Sequence, residues 1–176
     1  DLILTLASYY RQTLENDQYM LDIDTEINHV RTYLEIEKAR FEEKLRVEIN
    51  VEDGLSCQVP SFILQPIVEN AFSHGLKSCE EGGRILLRGW MQGRTLILTV
   101  ADNGRGMTPA ELDALQEKIA QSERTGRSIG LGNISRRITM LYPEGRMQVF
   151  SREGHGTVIR FEIPQEDREE DGSHEV

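Results

Sequence analysis

Apolar positions recur first at helical and then at strand spacing, and the changes of period mark the elements. Leu2, Leu6, Tyr9, Tyr10, Thr13 and Leu14 fall at helical spacing and predict a helix over residues 2–14, ending in the polar stretch 15–18. A second helix is expected from about Asp22. There Asp22, Asp24 and Glu26 put acids on the first turn, and Ile27, Val30, Leu34 and Phe41 mark one face over about five turns. From Leu45 the period becomes two, through Val47, Ile49 and Val51, and the turn dipeptide Asp53-Gly54 ends this first strand.

Pro60 is then expected to open a helix that runs to about Gly75. Strands are expected at 84–91 and 95–101, joined by the hairpin turn Gln92-Gly93-Arg94. A short helix fits 109–120, and after a loop rich in Ser, Arg and Gly another fits 133–142, stopped by Pro143. Strands at 147–151 and 157–163 follow, and Pro164 ends the fold. Two helices, then strand, helix, two strands, helices and two strands describe an α+β chain. It is a two-layer α/β sandwich, with helices on one face of a mixed, largely antiparallel sheet. No internal repeat of the length of a solenoid unit is visible.

Composition narrows the classes. With 176 residues, 38% of them hydrophobic, the chain can bury a sizeable core, which excludes collagen-like, low-complexity and wholly disordered readings. No apolar run approaches the roughly 20 residues of a membrane-spanning helix. The chain starts at Asp1 without an initiator Met or a signal-like stretch and reads as an excised or processed piece of a longer parent. Thirty acidic against twenty basic residues give a net charge of −10, and residues 165–176 hold six of the acids with one Arg. Such a balance argues against direct contact with nucleic acid, whose binders carry a basic surplus. Cys57 and Cys79 form no CxxC and no His cluster, and read as reduced structural thiols of a cytosolic protein.

Candidate chemistry sits in four islands. In the first, Ile67-Val68-Glu69-Asn70-Ala71-Phe72-Ser73-His74, polar residues interrupt an apolar helical stripe. Asn is a poor helix-interior residue and is costly to bury unpaired, so Asn70 needs a partner: a metal ion, or a loop backbone. The second, Val100-Ala101-Asp102-Asn103-Gly104-Arg105-Gly106-Met107, ends a strand in a carboxylate followed by two glycines. Glycine allows close backbone approach to a ligand and the carboxylate can accept from an exocyclic amine, although DNG by itself is an ordinary turn. In the third, Ser128-Ile129-Gly130-Leu131-Gly132-Asn133 leads into a helix whose free amides would face whatever lies above the loop. The fourth, Gly154-His155-Gly156-Thr157, joins two strands and could be a simple hairpin.

Taken in order, the four islands resemble the GHKL nucleotide-binding superfamily, with ENA as an N box, DNGRGM and GLGN as glycine boxes and GHGT as the last. Residues 28–37, NHVRTYLEIE, leading to Arg40-Phe41 and then to residues 60–76, resemble the LytS-type sensor histidine kinases. The resemblance covers nearly the whole chain to Pro164 and implies a Bergerat-type sandwich. It divides the chain into residues 1–44 (the second part of a dimerisation region and a linker helix), 45–164 (an ATP-binding catalytic domain) and 165–176 (an acidic tail expected to be disordered).

It further implies that Asp102 reads the adenine amino group, that Thr157 supports the same ring, and that Gly104, Gly106, Gly130, Leu131 and Gly132 shape the pocket. Asn70 would hold Mg²⁺ against the triphosphate, a hard ion that needs only one or two protein oxygens. Glu69 and His74 join Asn70 as candidate catalytic residues, His74 as a possible phosphate contact. Residues 107–129 would form a lid whose Arg124 and Arg127 could meet phosphate or simply face solvent. Ser73 stands where many relatives carry Lys, so one phosphate contact is expected to be missing or weakened.

The implied activity is transfer of the ATP γ-phosphoryl group to a histidine, with relay to a cognate response regulator. A homodimeric parent, reaching the membrane only through upstream regions, would place this domain in the cytoplasm. Relatives carry the acceptor in a His-Phe context after Asn-Pro, which does not occur here. The four histidines are His29, His74, His155 and His174, and His29 is expected to be a solvated surface imidazole. Two alternatives are a nucleotide-sensing module without phosphotransfer and an ATPase of the gyrase type. The latter needs a carboxylate one helical turn before the magnesium Asn, where this chain has Pro66; Glu69 points about 100° away around the helix.

Overall fold

The computed structural model describes residues 19–41, 45–75, 82–125 and 130–165. The helix expected at 2–14, together with Cys79, Arg127, His174 and the tail from residue 166, lies outside the described residues. The elements in order are β1 (Met20–Asp22), α1 (Ile23–Phe41), β2 (Leu45–Val51), β3 (Gln58–Pro60), α2 (Gln65–Asn70) continued by a π-helical turn (Ala71–Gly75), β4 (Gly83–Gln92), β5 (Thr95–Asp102), α3 (Pro109–Thr125), α4 (Leu131–Leu141), β6 (Arg146–Arg152) and β7 (Gly156–Pro164).

Five strands form one sheet in the order β2-β4-β5-β7-β6. Only the β2–β4 pair is parallel, with Leu45 opposite Gly83, and the other three pairs are antiparallel. Alternation along the strands sends Ile85, Leu87, Leu96, Leu98, Val100, Ile159, Phe161 and Ile163 to one face, where all are buried. Against that face pack Ile23, Ile27, Val30 and Leu34 of α1, Ile67 and Val68 of α2, and Ile134 and Ile138 of α4, all in one apolar cluster. The helix Ile23–Phe41 is thus joined to the core of the sheet. The opposite face carries paired charges, including Arg84 with Glu48 and Arg160 with Glu162, each at 2.9 Å.

The largest departure from the expected elements is at Pro60. Instead of opening a helix, it closes β3, which pairs antiparallel with β1, Met20 opposite Pro60. The helix starts five residues later, at Gln65, with Pro66 in its first turn, where a missing N–H costs nothing. Between them, residues 61–64 form a turn in which Phe62 has φ +56°. The expected helix at 109–120 continues to Thr125, and the one expected from 133 begins at Leu131. Cys57 is a buried thiol whose Sγ approaches Met91 Sδ at 3.5 Å.

Candidate nucleotide site

Between the helix-covered face of the sheet and α2, α3 and α4 lies a cavity of about 350 Å³. All four sequence islands reach it: Asn70 from the end of α2, Asp102 and Gly106 from the end of β5 and its loop, Gly130, Leu131 and Gly132 from the start of α4, and Thr157 from β7. Apolar walls come from Ile67, Val100, Met107, Leu115, Ile119 and Ile159. An apolar slot with a few converging polar groups suits a flat heterocycle, and the volume lies within the usual range of small-molecule sites.

Asp102 ends β5 directly opposite Thr157 of β7. Its Oδ1 accepts from the Gly104 N–H at 2.8 Å, and the nearby Thr157 backbone amide also favours the charged form. Burial pushes its pKa above the ordinary carboxylate value, and these two amides pull it back. The result is an oriented acceptor in an apolar slot. Ser151, which sequence reasoning missed, ties the two loops beside it. Its hydroxyl accepts from the Met107 N–H at 2.9 Å, donates to the Gly156 carbonyl at 2.9 Å and lies 2.9 Å from Thr157 Oγ1. With the Ser151 proton committed to Gly156, the Thr157 hydroxyl is the donor of that pair.

Gly106 lines the cavity, and with Gly156 it also lets two loops pass in contact. Gly106 has φ +63° and Gly156 φ +94°. A Cβ on Gly106 would collide with the Arg152 carbonyl, and one on Gly156 with the Asp102 carbonyl. They let the DNGRGM loop and the GHGT turn cross backbone to backbone, where Gly154 N–H also donates to Arg105 O at 2.6 Å. Gly104 is buried beside Asp102.

Gly130 caps α4 with φ +72°, and its carbonyl accepts from the Asn133 N–H at 3.0 Å. The first-turn amides of Leu131 and Gly132 have no partner within the helix and stand at its positive end, beside the cavity. Arg105 and Lys118 add cations to the lining, Arg105 also pairing with Glu111 at 3.1 Å. Lys118 was not singled out from the sequence; its signal is its place one turn after Leu115, at the edge of the stripe that Leu115 and Ile119 turn to the cavity.

Asn70 is half-buried on the cavity wall, and its side-chain amide makes no hydrogen bond with the described residues. The loop-backbone partner weighed above is therefore absent among them. Glu69 is turned elsewhere, accepting from Gln65 Nε2 at 2.8 Å, and does not line the cavity. The backbone of His74 lies in the π-helical turn. Among the described residues no group of three or more His, Cys, Asp or Glu could hold a metal ion. Any ion here would take one amide oxygen from Asn70 and the rest from a ligand and water, which fits a magnesium nucleotide and no all-protein metal site.

The expected lid is for the most part a regular helix. Thr108 and Glu111 form a reciprocal cap at the start of α3, Thr108 N–H to Glu111 Oε2 at 2.9 Å and Glu111 N–H to Thr108 Oγ1 at 3.3 Å. Ile119 and Ser122 are its buried residues, and both line the cavity. Arg124 is exposed near its end. His29, expected in solvent, is 6% exposed and stacks on Phe62 with ring centroids 5.4 Å apart. The period of α1 alone does not reveal this, because Phe62 comes from a distant turn.

A helix-covered sheet holding a cleft between a strand-end carboxylate and a glycine-capped helix defines a class of nucleotide-binding α/β sandwich. Residues 60–167 match the family of histidine kinase-, DNA gyrase B-, and HSP90-like ATPases, and residues 1–45 match a family described as histidine kinase. The chain belongs to the histidine kinase-, DNA gyrase B-, and HSP90-like ATPase family. Within it, the chain is 35% identical over 164 residues to the sensor histidine kinase YpdA of Escherichia coli (strain K12), covering 93% of this chain and 28% of that protein. To the sensor protein LytS of Bacillus subtilis (strain 168) it is 31% identical over 176 residues, covering 98% of this chain and 30% of that one. The chain thus spans under a third of the length of these relatives.

The fold is that of the catalytic domain of histidine kinase ThkA, with a TM-score of 0.59 at 21% identity, covering 83% of this chain and 94% of that one. It is equally that of the histidine kinase domain of the blue-light activated kinase from Erythrobacter litoralis, with a TM-score of 0.57 at 19% identity, covering 93% and 78%. Among the described residues no helix is long and apolar enough to cross a membrane.

Proposed function

We propose that this chain is the ATP-binding catalytic part of a LytS-type sensor histidine kinase. The observation that carries the proposal is the convergence on one cavity of the Asp102 carboxylate, the unpaired Asn70 amide and the first amides of α4. Bound ATP would supply the transferable γ-phosphoryl group, with Mg²⁺ shielding its charge. Asp102 accepts a hydrogen bond from the adenine amino group, and Thr157 and the apolar walls hold the ring. Asn70 offers its oxygen to the metal. The amides of Leu131 and Gly132, with Lys118, neutralise phosphate charge. Little covalent chemistry is asked of the protein; it positions the groups and excludes water. Glu69 and His74 remain candidates for the reacting end of the site.

The acceptor is a histidine on another helix of the parent, where the two chains of a homodimer would meet, and a response regulator then takes the phosphoryl group. Residues 1–44 serve as the dimerisation and linker segment, 45–164 as the catalytic domain and 165–176 as a tail. The domain is placed on the cytoplasmic side, membrane attachment being left to other parts of the parent. A gyrase-type ATPase is disfavoured by Pro66, which sits in the first turn of α2 where that chemistry wants a carboxylate.

Calorimetry with ATP and GTP tests the site: ATP should bind and GTP only weakly, since guanine places a carbonyl where adenine has its amine. Incubation with γ-labelled ATP should leave no acid-labile, base-stable label on this chain, while the parent that includes its acceptor helix becomes labelled. Phosphohistidine on the isolated chain that vanished with His29→Ala would overturn the placement of the acceptor.

A further inference from the structure

The helix that carries Asn70 cannot cap itself. Its N-cap residue is Leu64, whose side chain offers no acceptor, and Leu64 O accepts from both Ile67 and Val68 N–H at 3.1 Å. The amides of the turn before it are satisfied from elsewhere. Glu26 of α1 is completely buried, and its two carboxylate oxygens accept separately from Phe62 N–H and Leu64 N–H, each at 2.9 Å. The Ile63 amide between them also favours the charged form, so the carboxylate faces a run of three backbone amides, two of them hydrogen-bonded to it. The positive φ of Phe62 turns the backbone into this concavity, a geometry that binds anions.

Two further contacts grip the same turn. His29, one helical turn beyond Glu26, stacks on the Phe62 ring at 11° between planes. Arg137 of α4 donates from Nη2 to the Ser61 carbonyl at 2.8 Å. The helix Leu131–Leu141 that carries Arg137 begins at the glycine-capped end beside the cavity. The turn 61–64 is thus the joint at which α1, the Asn70 helix and the α4 end of the nucleotide cleft are held together.

We propose that Glu26 is a positioning residue for the nucleotide reaction: by holding, from α1, the turn that leads into the Asn70 helix, it sets the aim of Asn70 into the cavity and couples that aim to the docking of α1. This rests on the reading of Asn70 as the metal-phosphate ligand. Glu26 itself touches no part of the cleft. Its effect is therefore on geometry, and it should show in metal-dependent affinity before it shows in the binding of the base.

The test is Glu26→Gln in the whole chain, which keeps the volume but offers one acceptor where two amides need one, with Glu26→Asp as the conservative variant. Mg²⁺-dependent ATP affinity should fall about tenfold in Glu26→Gln, while metal-free affinity changes less than about twofold, the size expected for one badly met buried hydrogen bond. Glu26→Asp should recover part of the loss. Combined with Asn70→Ala, Glu26→Gln should add nothing further, because the group it aims is gone. Equal losses with and without metal, or losses that add to those of Asn70→Ala, overturn the proposal and leave Glu26 as general scaffolding.

Amide hydrogen exchange separates the two layers of the argument. In Glu26→Gln the amides of residues 67–72 should exchange about tenfold faster, with those of residues 96–100 in β5 unchanged. Unchanged exchange at 67–72 overturns the role of Glu26 whatever Asn70 does. Faster exchange there, with Asn70→Ala leaving the metal dependence intact, keeps Glu26 as the residue that sets the helix and removes Asn70 from the metal.

Discussion

The two walls of the cavity are built in opposite ways. On the Asp102 side, strand pairing, a loop crossing and a local cap make the contacts: Asp102 opposite Thr157, Ser151 opposite Thr157, Gly106 against Arg152, and the Thr108–Glu111 cap three residues apart. On the Asn70 side, a six-residue helix starts from a left-handed turn and runs into a π-helical turn, and that first turn is held by Glu26, 38 positions before Leu64. One wall is set by strand pairing and tight turns. The other is set by the docking of α1, so it can respond to whatever moves that helix.

The largest effect is expected at the crossing of the two glycine loops. Gly106→Ala should cost about 3 kcal/mol or more of folding stability, read from urea unfolding, because both the positive φ and the Arg152 carbonyl forbid the methyl group. If it folds with native stability, the Asp102 wall is not backbone-locked as described.

Next in size, Asp102→Asn should weaken ATP binding about 50-fold with circular dichroism unchanged, the loss expected for a charge-assisted acceptor in an apolar slot. Burial raises the Asp102 pKa, so its contribution to stability is present at low pH and is lost as pH rises through the folded value. Removing the charge should therefore not destabilise the fold near neutral pH. Unchanged ATP affinity in a folded variant would remove Asp102 from the site. On the other wall, Asn70→Ala should cost about tenfold in Mg²⁺-dependent affinity and little in its absence, since one of only a few metal oxygens is lost. Equal losses would make Asn70 structural.

A smaller effect probes the joint itself. Burial lowers the His29 pKa, so the folded state prefers the neutral ring. The stability contributed by that preference is present above the unfolded value of about 6.5 and is lost as pH falls from there through the folded value. Glu26, whose pKa burial raises, titrates in the opposite sense, contributing stability at low pH that is lost as pH rises. Urea midpoints for the wild type and His29→Gln should therefore differ more at pH 7.5 than at pH 5.5, and a constant difference would refute the burial argument. Smallest of all, Thr108→Ala should cost about 1 kcal/mol, a normal N-cap loss, with nucleotide affinity unmoved.

Much of this molecule was legible in the order of its residues. Alternation marked the five strands of the main sheet to within a residue or two, though not the short pair β1 and β3; Gln92-Gly93-Arg94 stood where the chain reverses, and the four islands met at one cavity. Their legibility has a local cause: a strand period, a hairpin glycine and a helix-starting glycine each act on their own few residues. Pro60 misled because a proline that opens a helix and one that closes an edge strand have the same fixed φ and the same missing N–H. The choice went to the strand because Met20 was there to pair with it.

From sequence alone came the α+β sandwich, the carboxylate at the end of β5, the Asn in an apolar helical stripe and the glycine-started helix. Each depends on residue type and short-range spacing. Only the tertiary structure decided that Glu26, read as an ordinary first-turn acid, is buried against the turn that leads into another helix, that His29 lies under Phe62 and that Ser151 ties two loops. Those assignments depend on which distant amides lacked partners. A buried N–H must be satisfied by whatever group the packing brings within 3 Å, and no periodicity in α1 records that requirement.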